Sequence, residues 1–139
     1  MGRFADPTAT EVVSLGACQC PGTPHENDEA TVRWDLGGSA LARIDLAKRR
    51  AVIEDDPLAQ YRQVAAETVM SWNLLRPGAD GEPEQVPISA STFAELDVET
   101  LTTLVEATDR VIAERNKVPN PSSVPSRASQ RGNASRTRN

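Results

Sequence analysis

Both cysteines and the only histidine of this chain fall within eight residues, Cys18-Gln19-Cys20-Pro21-Gly22-Thr23-Pro24-His25, and Asp28 follows three positions on. Thiolate and imidazole are side chains that Zn²⁺ prefers, and a structural zinc takes four ligands in a tetrahedron. Pro21, Gly22 and Pro24 bend the segment, so Cys18, Cys20 and His25 can converge from a short loop. Asp28, Asp6 or a water is the candidate for the fourth position. Two other readings stay open. A Cys18–Cys20 disulfide would close a very small, strained ring, and two reduced cysteines and a surface histidine can also be neighbours without a shared ligand. If metal binds, a structural role is favoured over a catalytic one. The helix-borne base of HExxH and HxE patterns is missing, and Glu26 beside His25 is the one acid in its place.

The elements that must position these side chains are legible on either side. Thr10-Glu11-Val12-Val13-Ser14-Leu15 and Ala30-Thr31-Val32-Arg33-Trp34 are rich in β-branched residues and predict two strands. The simplest arrangement is a two-stranded antiparallel ribbon over residues 10–34, with metal clipping its loop and helices packed on it, since a lone hairpin is marginal in water. Asp35-Leu36-Gly37-Gly38 breaks the chain and Ser39 can cap a helix through Arg50, with Leu41 and Ile44 on one face and basic residues in its last turn. Asp55-Asp56-Pro57 reads as a capped helix start. Leu58, Tyr61, Ala65, Val69 and Trp72 recur at helical spacing, which predicts a helix from Pro57 to about Trp72. Its stripe serves as core or as a surface for another protein, and Leu58, Tyr61 and Trp72 are the candidate partner anchors. Residues 76–83 are turn-rich. Ser89 or Ser91 can cap a short helix carrying Phe93 and Leu96, and Asp97 a long one through about Arg115 with Leu101, Leu104, Val105, Thr108, Val111 and Ile112 on one face.

The expectation is therefore an α+β fold, mainly α. One globular domain spans residues 1–116, with a β-ribbon at 10–34 and a helical part at 39–116, packed from three or four helices. Residues 117–139, with Pro119, Pro121, Pro125 and few apolar side chains, read as a disordered basic tail. The net charge of −5 over 139 residues hides an asymmetry: all five charges from Lys117 onward are basic, so residues 1–116 carry −10. An acidic body argues against a nucleic-acid-binding fold, which would carry its basic face on the domain itself. No apolar leader or run of membrane-spanning length occurs, and clustered cysteines without a leader suit a reducing cytosol.

No GxSxG, P-loop, GxGxxG, HExxH or EF-hand pattern is present. Glu54, Asp55 and Asp56 lie where a helix dipole alone favours acids. With a single histidine placed at the metal loop, a catalytic triad is not expected. The pattern points away from an enzyme.

Three stretches together resemble a known family. The loop Ala17 to His25, the segment Val69-Met70-Ser71-Trp72-Asn73-Leu74 followed by Gly81-Glu82-Pro83, and Lys117-Val118-Pro119-Asn120-Pro121-Ser122 look like parts of the tail assembly chaperones of long-tailed actinobacteriophages. Asp80-Gly81-Glu82-Pro83 keeps only part of the D-x-x-G-x-P turn of that family. The resemblance implies a non-enzymatic protein of the host cytoplasm that coats the tape-measure protein, recruits tail-tube subunits and leaves before the virion is complete. The same features are compatible with a homo-oligomer. The rival expectations are a structural virion component of the tail or head–tail junction, a zinc-knuckle nucleic-acid binder with an arginine-rich arm, and a small metalloenzyme with an open zinc position.

Overall fold

The computed structural model describes residues 4–116; the expected tail of residues 117–139 lies outside the described residues. The fold is α+β, with short antiparallel strands and four helices. Strand β1 (Thr10–Ala17) pairs antiparallel with β2 (Asn27–Arg33), from Thr10 opposite Arg33 to Ser14 opposite Glu29. Val13, Ala30 and Val32 face inward, as the period of two requires. The register slips between Ser14 and Gly16, and Gly16 sits at φ +103°. A bulge with a left-handed glycine bends the strand, and this one lies directly before the cysteine loop.

The expected two-stranded ribbon is in fact a three-stranded sheet of order β1-β2-β3. The helix predicted to run to Trp72 is shorter: α2 spans Ala59–Thr68, and the chain turns extended at Val69 to form β3 (Val69–Trp72). The physical reason is distant in sequence. β2 offers a second edge, and β3 fills it by setting Trp72 opposite Ala30, Ser71 opposite Thr31 and Val69 opposite Val32. Three strands against helices are stable where a lone hairpin is marginal, so long-range pairing overrides the local helical spacing.

Other boundaries shift for similarly local reasons. Helix α1 covers Gly38–Ile53 and is capped by the backbone of Gly37, not by the Ser39 side chain. Asp56 does not cap α2. Its carbonyl accepts the Ala59 N–H in a preceding turn, its carboxylate pairs with Arg62, and Leu58 occupies the cap position. The turn-rich stretch 76–83 is the tip of a hairpin between β4 (Leu75–Pro77) and β5 (Pro83–Gln85). Pro77 and Pro83 face each other at its turn end, where a missing N–H costs least. Helix α3 (Ala90–Glu95) starts with a capping box in which Ser89 and Thr92 exchange side-chain bonds. Asp97 caps α4 (Val98–Arg115) as expected, accepting the Thr100 N–H at 2.7 Å.

The core lies between the inner sheet face and the helices. Val64 and Ala65 of α2, Phe93 of α3 and Leu101, Leu104, Val105 and Ala107 of α4 close on Val13, Ala30, Val32, Val69 and Trp72. Trp72 packs edge-on against Phe93 with ring centroids 5.4 Å apart, and its Nε1–H donates to the Val86 carbonyl at 2.7 Å. With 4% of its surface exposed, Trp72 is core and does not offer itself as a partner anchor. Helix α1 contributes no buried residue. Its Arg43 forks onto Glu67 of α2 at 2.6 and 2.8 Å, and Ile44 packs on the core from outside.

Candidate metal centre

The loop after β1 brings Cys18, Cys20, His25 and Asp28 together, with one ligand atom from each lying within 4.8 Å of every other. Local chemistry closes the loop in two steps. Cys18 N–H donates to the Glu26 carbonyl at 3.0 Å, and Thr23 N–H to the Cys20 carbonyl at 3.0 Å. The second bond closes a tight turn with Pro21 and Gly22 at its centre and Gly22 at φ +77°, the arrangement in which proline presets φ and glycine supplies the left-handed residue. Thr23 follows at φ +43°. A β-branched residue there carries strain of about 1 kcal/mol or more, and such strain persists where the surroundings hold it. The result folds His25 back over Cys20.

Asp28, the second residue of β2, meets them from the strand side. Its Oδ1 lies 2.7 Å from His25 Nε2 and accepts from Cys20 Sγ at 3.3 Å, while Cys20 Sγ is 3.6 Å from His25 Nε2. Cys20 and Asp28 are each 6% exposed, whereas Cys18 and His25 are half-buried. Both cysteines are free thiols, so the disulfide alternative is not what the structure contains.

Backbone N–H groups surround the cluster. Gln19 N–H donates to Asp28 Oδ2 at 3.0 Å, Cys20 N–H to Cys18 Sγ at 3.3 Å and Leu75 N–H to Cys20 Sγ at 3.2 Å. These donors orient the ligands and offset negative charge, as outer partners of metal ligands do. Burial pushes the Cys20 thiol up to about 11, against the pull of the Leu75 N–H, and the neighbouring Asp28 adds to the rise. Burial alone would raise Asp28 as well. The Gln19 N–H and the hydrogen bonds from His25, Cys20 and Cys18 outweigh it and hold the carboxyl below its ordinary value. A thiol raised this far is a poor nucleophile at neutral pH. A cation held by these side chains would reverse that balance by favouring the thiolate, and its uptake would release protons.

Of the two protein candidates for the fourth position, Asp28 joins the cluster and Asp6 does not. Asp6 Oδ1 accepts the N–H and hydroxyl of Thr8 at 2.9 and 2.7 Å, and its own N–H donates to Asp35. Glu26 is exposed and outside the cluster. The buried four-residue set is compatible with a metal site.

Two positioning residues lie far along the chain. Leu75 supplies its N–H to Cys20. Asn73 lays its side chain along β2, with Oδ1 accepting from Glu29 N–H at 2.8 Å and Nδ2 donating to the Asn27 carbonyl at 3.1 Å. Asn73 was visible only as the centre of Trp72-Asn73-Leu74, and nothing local signals the Leu75 contact. Among the other predicted anchors, Leu58 is half-buried against the core and Tyr61 lines an open apolar groove between α1, α2 and α4.

No family model, curated protein or solved structure matches the chain. No described helix is long and apolar enough to cross a membrane.

Proposed function

We propose that the cluster is a structural zinc centre clipping the β1–β2 loop, and that the protein is a non-enzymatic tail assembly chaperone. In this reading it covers the tape-measure protein of a long-tailed phage in the host cytoplasm and helps recruit tail-tube subunits. One observation carries the first part: four ligand side chains from eleven consecutive residues converge in a partly buried pocket. Two sulfurs with an imidazole and one carboxylate suit zinc and not the hard cations, which take oxygen. Ordinary zinc–ligand lengths in a tetrahedron place sulfur about 3.5 Å from nitrogen or oxygen, and nitrogen about 3.3 Å from oxygen. The two sulfur separations, 3.6 and 3.3 Å, are already near these values. The 2.7 Å contact of His25 with Asp28 has to open by about half an ångström, giving up a shared proton. Four protein ligands leave no open position for substrate, which supports a structural role.

The chaperone reading rests on the order of the motifs and on surface chemistry. Leu41, Leu46, Val52 and Ile53 of α1 are exposed apolar side chains on a helix with no fully buried residue. Such residues can cover the apolar faces of a long helical protein, and the acidic body keeps the complex in solution.

Purified protein is expected to carry about one zinc per chain, and Cys18→Ser with Cys20→Ser to abolish it; normal folding with no metal removes the zinc centre. Co-expression with a tape-measure protein is expected to raise the soluble fraction of the latter. An unchanged soluble fraction, with this protein retained in purified particles, replaces the chaperone by a virion component.

A further inference from the structure

The groove lined by Tyr61 has a shape and charge that select its occupant. It is about 350 Å³ and lies under α1, with Leu41 and Ile44 on one wall, Tyr61 and Val64 on another and Val105 and Ile112 along α4. Its α4 side runs from Val105 through Asp109 and Ile112 to Asn116, about 16 Å at 1.5 Å per residue. That is three turns, enough for the roughly 10 Å over which a docked helix places its i, i+3/i+4 and i+7 side chains. Helices form three walls, and the remaining wall is the linker Trp34–Leu36 between β2 and α1. Among the described residues no strand lines the groove, so an extended peptide would leave its own backbone N–H and C=O groups unpaired, whereas a helix satisfies its own.

Charge narrows the choice further. The ionised groups in the lining are two carboxylates, Asp35 and Asp109, and no described cation pairs with either. The Arg115 guanidinium at the groove's edge lies over the Trp34 ring at 5.8 Å and is bound to Glu11. We infer that this groove is a docking site for a basic amphipathic helix of a partner protein, with its apolar side chains between α1, α2 and α4 and a lysine or arginine against Asp35 and Asp109. Partial desolvation, with the charge of Glu106 added, raises the Asp109 carboxyl above its ordinary value, a cost that an incoming cation removes. The inference deepens the chaperone reading by naming the chemistry of the segment held; it rests on that reading only for the partner's identity.

The test uses the full zinc-treated chain and two synthetic probes of about 18 residues, five helical turns. One is a leucine/lysine peptide with all leucines on one face, the other the same peptide with glutamate for lysine. Calorimetry is expected to show saturable one-to-one binding of the lysine peptide and none of the glutamate peptide. Leu41→Glu and Asp109→Lys, both at exposed positions and expected to keep the wild-type circular dichroism, should each weaken binding roughly tenfold or more. Glu82→Lys, the same charge change in the β4–β5 turn, should leave binding within about twofold. Equal losses from Glu82→Lys and Asp109→Lys, equal binding of both peptides, or no binding of the lysine peptide overturns the inference. Loss of tape-measure solubilisation with peptide docking intact would sink only the chaperone reading. Solubilisation that survives Leu41→Glu and Asp109→Lys, with peptide docking lost in both, would show that the tape-measure protein is not the groove's partner.

Discussion

Helices α1 and α4 have similar lengths, 16 and 18 residues, and both carry apolar side chains at helical spacing, yet the molecule treats them differently. Helix α4 buries Leu101, Leu104, Val105, Ala107 and Thr108; α1 buries nothing. The ends differ in the same sense. Asp97 caps α4 through its side chain, and Glu99 in the first turn suits the dipole, whereas α1 begins at Gly37 with no side-chain cap and no acid in its first turn. Helix stability in proteins comes mainly from packing an apolar face. One helix is therefore part of the core, and the other is held by an ion pair and one packed side chain, with its apolar residues left for something else.

The largest expected difference is a cavity in one helix against a trimmed surface in the other. Leu104 is fully buried, so Leu104→Ala should cost about 3 kcal/mol by lost burial and an unfilled hole. Leu46, 43% exposed on α1, should cost less than about 1 kcal/mol on the same change. Denaturant unfolding of both variants checks this, and equal costs would erase the distinction.

The caps come next. Asp97→Ala should destabilise by about 1 kcal/mol. The Thr100 N–H holds the Asp97 carboxyl below its ordinary value, so the bond's contribution is fully present above the unfolded pKa near 3.8 and is lost as pH falls through the lower folded value. Wild-type and Asp97→Ala unfolding midpoints should therefore converge on acidification below pH 4 or so. A difference that persists unchanged at low pH would mean the side chain does not act as a cap.

A smaller and more local effect is expected from Arg43→Ala. The Arg43 fork is the main cause holding Glu67 below its ordinary value, and it is the polar tie between α1 and α2. Removing it should speed amide hydrogen exchange along α1 while leaving α4 exchange and the global midpoint unchanged. Loss of protection in both helices together would show that α1 belongs to the cooperative core after all.

How much of this was legible beforehand follows the distance over which each feature is determined. The Cys18, Cys20, His25 and Asp28 cluster was readable because all four side chains and the Pro21-Gly22 turn lie between residues 18 and 28. Asp97 and the stripe of α4 were readable for the same reason. The β3 strand was not, because Val69 and Trp72 satisfy helical spacing and the decision belongs to β2, some forty residues earlier. The Leu75 N–H on Cys20 spans 55 residues, and no local pattern announces such a contact. Periodicity also failed to separate α1 from α4. It reports that a face exists, and the contact that covers it is decided elsewhere in the chain or outside it.

The smallest effect is the sharpest test of α1's position. Val52 and Ile53 are 82% and 81% exposed at its C-terminal end. Val52→Ser with Ile53→Ser removes apolar surface that the folded chain leaves in water, so little burial is lost, and the change in unfolding free energy should stay within about 0.5 kcal/mol. Serine is a somewhat poorer helix former than the best residues, but β-branched valine and isoleucine have little advantage over it. If the pair instead costs several times that amount, these side chains are covered in solution, and dilution separates the two ways this can happen. Destabilisation that grows with protein concentration places a second copy over α1, because removing a dimer contact matters most where dimer is populated. Destabilisation independent of concentration places another part of the same chain there, and α1 then joins α4 as an element the protein buries for its own stability.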